Sequence, residues 1–274
     1  MKAETNTYEQ LAAAAFDNQS EVFDQIYGRD KIIAYKRQRV HNHLLQYLQP
    51  GSTVLELNCG TGEDAIFLGQ LGCKVHATDI APGMLRRLQQ KVDALNLNET
   101  VTSETCSFGQ LQQLNNEGPY DHIFSNFAGL NCTSDLDKVL GSFSGLLKPG
   151  GKVTLVLLPR FCLWESLLVF KGKFRTAFRR FFSTRGREAH VEGIHFRCWY
   201  YNPSYVRTCL KENFVHLSTE GLCTLVPPSY ILGFADHYPQ LFGFLKQAEN
   251  RLRYLWPWKF VGDYYIISFV KKGG

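Results

Sequence analysis

Thr53 to Asp64 reads T-V-L-E-L-N-C-G-T-G-E-D, and Lys74 to Gly83 reads K-V-H-A-T-D-I-A-P-G. Thr53 to Leu57 is a short apolar run rich in strand formers. Asn58-Cys59-Gly60-Thr61-Gly62 is a tight turn, and Glu63 to Leu71 sets Ala65, Ile66, Leu68 and Leu71 at helical spacing. The unit then repeats. Lys74 to Thr78 is a second strand, Asp79 stands at its end, and Pro82 opens a helix where proline's missing N–H costs nothing. A glycine turn directly after a strand lets backbone N–H groups approach a ligand, and the following helix adds its positive end. A carboxylate at the end of the next strand takes both hydroxyls of a ribose, the role open to Asp79. Together these features favour an adenosine-containing cofactor. The dinucleotide fingerprint G-x-G-x-x-G requires a third glycine that this turn lacks, which disfavours a pyrophosphate seat and a nicotinamide-dependent oxidoreductase.

Outward from this core the alternation continues. Val101 to Thr105 and Tyr120 to Asn126 are expected strands, Asp135 to Leu147 a helix, and Lys152 to Leu158 a strand after the turn Lys148-Pro149-Gly150-Gly151. Alternating strands and helices imply right-handed crossovers and a parallel sheet. Beyond Pro159 come an aromatic and basic stretch to Tyr201, a helix from Pro203 to Lys211, a strand from Phe214 to Thr219, an aromatic insert over 226–260 and a last strand from Asp263 to Lys271. On the N-terminal side, residues 9 to 48 read as two helices joined around Gly28. In the second, Ile33, Arg37, Val40, Leu44 and Leu48 share one stripe, and an arginine on a buried stripe needs an anion. His41 and His43 flank that stripe and read as solvated, whereas His122 reads as a core or face residue of its strand.

Four ordered motifs, V-L-E-L-N-C-G-T-G-E-D, H-A-T-D-I-A-P-G-M-L, Y-D-H-I-F-S-N-F and L-L-K-P-G-G-K-V, resemble those of class I S-adenosylmethionine-dependent methyltransferases. The resemblance covers residues 40 to 160, and the two late strands resemble that family's closing antiparallel hairpin. It implies an α/β fold: a seven-stranded, mostly parallel sheet with helices on both faces and its last strand antiparallel, plus N-terminal helices and lid insertions. Residues 1–48 would cover the cofactor site, and 49–274 would form the methyltransferase domain with substrate-lid insertions at 160–201 and 226–260. The implied cofactor is S-adenosyl-L-methionine, leaving as S-adenosyl-L-homocysteine. Carried over residue by residue, Glu56, Gly60 and Gly62 would surround its methionine part, Asp79 would take the ribose, and Ile80 would lie against adenine. Asn126 and Phe127 would flank the methionine and sulfonium, and Ser107 and Phe108 would stand where the family often places an acidic residue near the adenine amino group. Asn58 replaces the family's usual first glycine, and Cys59 and Cys132 lie near the cofactor by position. Arg37, with Tyr27 before it, would pair with the methionine carboxylate.

Methyl transfer from a sulfonium asks for positioning above all. Should the acceptor need a base, His195 and Tyr200 are the catalytic candidates, with His190 and Tyr201 beside them. The aromatic inserts suit a small aromatic or otherwise apolar acceptor, methylated on oxygen, with carbon or nitrogen as alternatives. The other readings are a non-catalytic S-adenosylmethionine-binding scaffold and a methyltransferase for nucleic acid or a carrier-linked substrate. No N-P-P-Y-like motif follows Asn126, which weighs against nucleic acid. Phe161 to Phe182 interleaves aromatics with cations as an amphipathic segment, and Lys171 to Arg187 holds seven basic residues and no acidic one. It reads as a lid helix that buries its aromatics, or as a docking face for an acidic carrier protein, an anionic substrate or an anionic membrane surface.

The chain's 274 residues suit one enlarged domain, and 45% hydrophobic and 20% charged residues are ample for a large core. The net charge of +5 is smaller than the charge of that one basic stretch, so no general nucleic-acid footprint is expected. No apolar run reaches membrane-spanning length, the N-terminus lacks signal-peptide character, and eight scattered cysteines show neither zinc-site nor disulfide spacing. A cytoplasmic protein with free thiols and no metal site is the expectation.

Overall fold

The computed structural model describes residues 7–116, 118–181 and 185–273. Three helices come first: α1 (Thr7–Gln19), α2 (Phe23–Tyr27) and α3 (Lys31–Leu44). The expected first helix is thus broken before Phe23, where the Ser20 hydroxyl donates to the Asp17 carbonyl (2.7 Å) and offers the backbone an alternative to helix. Asp30 starts α3 by accepting from the amides of Ile32 (2.7 Å) and Ile33 (2.9 Å).

The alternating part follows as β1 (Thr53–Leu57), α4 (Glu63–Gln70), β2 (Lys74–Asp79), α5 (Pro82–Ala94), β3 (Val101–Thr105), β4 (Tyr120–Ser125), α6 (Leu136–Leu146) and β5 (Leu147–Leu157). Two short helices, α7 (Leu163–Ser166) and α8 (Phe174–Ala177), precede a hairpin of β6 (Arg187–Val191) and β7 (Ile194–Cys198). The chain closes with α9 (Pro203–Leu210), β8 (Phe214–Leu222), α10 (Phe234–His237), α11 (Pro239–Leu252) and β9 (Tyr264–Lys271).

The main sheet has seven strands in the order β3-β2-β1-β4-β5-β9-β8. β1 through β5 pair in parallel, and β9 runs antiparallel to both β5 and β8. This is the doubly wound sheet with one reversed strand that the motif order implied. Its central strands are buried on both faces, as a parallel sheet between helices requires. Leu55, Ile123, Leu155 and Ile267 face α6 and α9 on one side, while Val54, Phe124, Val156 and Ile266 face α3, α4 and α5 on the other. The order reverses between β1 and β4, and the carboxyl ends of the strands at such a point are where open α/β sheets bind ligands.

Three expectations change on this frame. First, the buried face of α3 is wider than the stripe: it takes in Ile32, Tyr35, Lys36, Arg39 and His43 as well as Val40 and Leu44. His43 is therefore not solvated. It is 1% exposed and bonds Glu220 (3.0 Å) and Ser268 (2.8 Å) on the two late strands. Second, Phe161 to Phe182 is not one amphipathic helix. Gly172, left-handed at φ 70°, separates a 3-10 turn from α8, and Phe170, Phe174, Phe178 and Phe181 are exposed rather than buried, while Phe182 lies outside the described residues. The segment is held by charge instead, with Arg179 and Arg180 on Glu165 and Arg180 also on Asp263 (2.6 Å). Third, 187–198 is a hairpin, turning at Glu192-Gly193, both with positive φ.

His122 in β4 is a core residue. It is fully buried, and only its Nε2 finds a partner, Thr154 Oγ1 at 3.0 Å. Burial, with help from the Lys152 charge, lowers its pKa from 6.5 to about 3. Below pH 6.5 the unfolded chain takes up a proton that the folded one refuses, so stability falls as pH drops toward 3, by at most roughly 1.4 kcal/mol per pH unit. Denaturant titrations at stepped pH are expected to show a shallower acid loss in His122→Gln; equal slopes would remove His122 from the account.

Candidate cofactor and acceptor site

The turn after β1 is shaped by Gly62, which starts α4 at φ 82° and brings its backbone against Leu88, whose Cδ1 would lie 2.0 Å from any added Cβ. Asn58, at φ 49°, takes the conformation in which Asn is the commonest substitute for glycine. Its amide donates to the Asn126 carbonyl (2.8 Å) and its carbonyl accepts from Ser125 Oγ (2.6 Å), tying the β1 turn to the end of β4. Gly129 passes so close that an added Cβ would stand 2.2 Å from Asn58 Cγ. The unusual Asn58 is thus a clip between the two strands at the switch point. Asn58→Ala is expected to cost about 2 kcal/mol, from two lost hydrogen bonds and a strained φ. Asn58→Gly, which loses the same two bonds but is free of the strain, should cost less; denaturant midpoints decide, and equal stability of all three proteins would contradict the clip.

The turn, the ends of β2 and β4, and the N-terminal helices enclose a cavity of about 350 Å³. Asp79 lines it, its two oxygens accepting from the amides of Gly60 and Ala81, both at 2.9 Å, which leaves each oxygen a further lone pair. Burial raises its pKa. Gly60 presents open space: nothing lies within 4 Å of where a Cβ would stand. Asp64, in the first turn of α4, accepts from His41 (2.6 Å) and Asn126 (2.8 Å) and faces Arg37 (3.6 Å). Burial would raise its pKa, but Arg37 and the two hydrogen bonds outweigh burial and hold it below the usual carboxylate range. Glu56, at the end of β1, is 1% exposed, and its Oε2 has no hydrogen-bond partner. Burial and the Asp64 charge push its carboxyl well up.

Of the residues expected around a cofactor, Tyr27, Arg37, Asn58, Cys59, Gly60, Asp79, Ile80, Phe108, Asn126 and Phe127 all line this one cavity. Glu56 lies behind its wall, Gly62 supports the turn from beneath, and the Ser107 hydroxyl instead accepts from the Gly109 amide (3.2 Å), capping the 3-10 turn there. His195 and Tyr200 are not brought to the cavity. They border a separate cleft, where the half-exposed His195 pairs with Glu188 (3.1 Å) and the buried Tyr200 phenol is pushed up to about 12 by burial. The hairpin displaces them: it packs against α1 through Phe196 and Val191, so that only Val191 reaches the cavity.

Residues that sequence reasoning missed supply much of the wall. Glu9, Ala12 and Phe16 come from α1, Lys36 from α3, and Ser229 and Tyr264 from the far side. Glu9 is 5% exposed and burial raises its pKa. Thr133, Ser107 and the Phe108 backbone beside it partly offset burial, so an acidic group stands near the expected adenine end after all, but it comes from α1. Only the alternation of α1's apolar positions hinted at a buried face there.

Cys162, Glu165 and Asp263 could together offer metal ligands. Arg179 and Arg180 already neutralise both carboxylates, and burial pushes the Cys162 thiol up to about 12, away from the thiolate a metal needs. No described helix is long and apolar enough to cross a membrane.

Residues 54–151 match the family model described as a methyltransferase domain. The chain is 31% identical over 145 residues to an uncharacterized methyltransferase of Synechocystis, covering 51% of this chain and 65% of that protein. It is 32% identical over 146 residues to the demethylmenaquinone methyltransferase of Oceanobacillus iheyensis, covering 49% and 59%. The chain thus spans less than two thirds of the length of either relative. Among solved structures, a 4+2 cyclase, SpnF, superposes with a TM-score of 0.62 at 15% identity over 97% of both chains, a likeness of fold. Residues 54–151 therefore carry a methyltransferase domain, and the motif order and the sheet with its one reversed strand resemble those of class I S-adenosylmethionine-dependent methyltransferases.

Proposed function

We propose that the protein binds S-adenosylmethionine in the 350 Å³ cavity and transfers its methyl group to a small apolar or aromatic acceptor, at oxygen in the first instance. The observation that carries this reading is the convergence of ten expected cofactor residues on one cavity, whose remaining wall combines apolar and aromatic side chains such as Phe16, Met84 and Tyr264 with a few polar ones. The residues fit the cofactor: Gly60 leaves room where a side chain would intrude, Asp79 keeps spare lone pairs for two hydroxyls, and Glu56 holds a buried oxygen without a partner near where an amino group would lie. When bound, the cofactor supplies a methyl group on a sulfonium, already a good leaving group.

The protein's own work is holding and excluding. Asp79 would fix the ribose, Ile80, Met84 and Phe108 would clasp the adenine, and Arg37 would take the methionine carboxylate beside the N-terminus of α4. Phe127 offers an aromatic face toward the sulfonium. α1, α2 and Val191 of the hairpin roof the cavity and keep water out, which makes the N-terminal helices and the 160–201 insertion a shared lid. Holding nucleophile and methyl in line is worth several kcal/mol, up to about 10. An apolar ring system suits the wall formed by Phe16, Phe127 and Tyr264. The Oceanobacillus relative is named for an acceptor of that kind.

Incubation with methyl-labelled S-adenosylmethionine and a panel of apolar phenols and quinols tests the proposal. Label passing into an extractable product supports it. Cofactor that binds while every acceptor stays unlabelled would favour the non-catalytic reading.

A further inference from the structure

Lys36 and Arg37 are neighbours on α3, and a helix turns successive side chains about 100° apart. Arg37 points toward the glycine turn, where Asp64 receives it. Lys36 points the other way, toward the late strand and the 226–260 insert, and lines the same cavity. It is 2% exposed. Its Nζ donates to Ser229 Oγ (3.1 Å) and stands over two aromatic faces, 4.8 Å from the Tyr264 ring centre and 5.6 Å from that of Phe127. Among the described residues no carboxylate lies within ion-pair distance of it. Every other deeply buried cation of the domain is matched by an acid: Arg39 by Glu220 and Glu249, and Arg180 by Glu165 and Asp263.

A buried charge is costly unless something opposite meets it. One hydroxyl and two ring faces offset part of that cost, and the open side of Lys36 is the cavity. The Phe127 ring lies within reach of both cations, with Arg37 5.1 Å and Lys36 5.6 Å from its centre. Arg37 already faces Asp64 at 3.6 Å, whereas among the described residues Lys36 faces no carboxylate. The cofactor's carboxylate belongs with Arg37, beside the α4 N-terminus. Lys36, set against Tyr264 and Ser229, is left for the acceptor.

Resting on the cofactor reading above, we infer that the acceptor is an apolar molecule presenting an anionic oxygen, such as a phenolate, enolate or carboxylate, and that Lys36 is the residue that selects it. The ammonium favours the ionised form, which supplies the nucleophile without a general base and accounts for a cavity that no histidine lines. In the transfer, the acceptor's oxyanion donates a lone pair to form the new O–CH3 bond as the S–CH3 bond breaks. The bonding pair leaves with sulfur, the sulfonium becomes a neutral thioether, the acceptor becomes a neutral ether or ester, and no proton is released.

The test uses the full chain saturated with S-adenosylhomocysteine, titrated calorimetrically with 4-nitrophenolate, at a pH where that phenol is ionised, and with its neutral methyl ether, 4-nitroanisole. The unsubstituted protein is expected to prefer the phenolate by about tenfold, the scale of one charged hydrogen bond. Lys36→Met, which removes the charge at similar length, should abolish the preference while leaving S-adenosylhomocysteine affinity within about twofold. Ser229→Ala, which frees Nζ from its tether, should reduce the preference without abolishing it. No preference in the unsubstituted protein, or the same preference in Lys36→Met, overturns the inference. So does a Lys36→Met protein that loses cofactor affinity, since Lys36 would then hold the cofactor's own carboxylate. Failure of the unsubstituted protein to bind S-adenosylhomocysteine is a different result: it removes the cofactor reading, and this inference with it.

Discussion

Asp79→Ala is expected to lower the affinity for S-adenosylhomocysteine by roughly a hundredfold, the equivalent of about 3 kcal/mol for a buried carboxylate that accepts from two hydroxyls. The effect belongs to binding and not to folding. Both Asp79 oxygens do accept from backbone amides, of Gly60, which lines the cavity, and of Ala81, which follows the cavity-lining Ile80; water in the space the carboxylate vacates can accept in its place. The thermal midpoint of the unliganded variant should therefore move little while its titration curve flattens. Affinity within a few-fold of the unsubstituted protein would take the ribose away from Asp79 and leave the carboxylate as a cap for the turn that follows β2.

The largest loss of stability is expected at Glu249, far from the expected chemistry. Its carboxylate, 1% exposed on α11, accepts from four successive backbone amides, Cys223 at 3.0 Å and Thr224, Leu225 and Val226 at 2.9 Å each. It also accepts from Tyr35 Oη (3.0 Å) and Arg39 (3.3 Å) on α3. One side chain therefore fastens the chain leaving β8, the 226–260 insert and the N-terminal helices to each other. Glu249→Ala leaves four backbone donors without a partner and takes one of two carboxylates from Arg39, which keeps Glu220, the Gly221 carbonyl and Tyr35 Oη. A cost of about 4 kcal/mol is expected, which for a domain of this size lowers the melting temperature by roughly 10 °C. A midpoint shifted by less than about 2 °C would mean that the amides find other acceptors. Because α3 carries Arg37, the same variant should weaken cofactor binding even where it remains folded.

The strands of the sheet were legible because their signals are local. Thr53–Leu57, the turn to Gly62 and Pro82 each declare their conformation within a few residues, and a parallel sheet buried on both faces writes its strands as apolar runs. The candidate site was legible for the same reason wherever it follows a strand end: Cys59, Gly60, Asp79, Ile80, Asn126 and Phe127 all line the cavity. What the sequence concealed is contact between distant segments. Nothing near His43 announces Glu220 and Ser268, so a helix face read as solvated proved to be core. Nothing near His195 says that its strand turns outward against α1, although the E-G pair at 192–193, flanked by alternating residues, was a readable hairpin signal. Arg37 was found by its stripe, whereas Lys36 beside it was not. The stripe followed the apolar residues, and the polar ones on the widened face of α3 are buried by partners 180 to 210 positions away in sequence, such as Glu220 and Glu249 for Arg39.

The central claim is that the cavity beneath the N-terminal helices is built for S-adenosylmethionine, and calorimetric titration of the purified protein with S-adenosylhomocysteine, and in parallel with NADH, tests it most directly. The account predicts one site per chain, saturable by S-adenosylhomocysteine and lost in Asp79→Ala, with no heat from NADH. Binding of NADH in its place, or of neither compound, would contradict it.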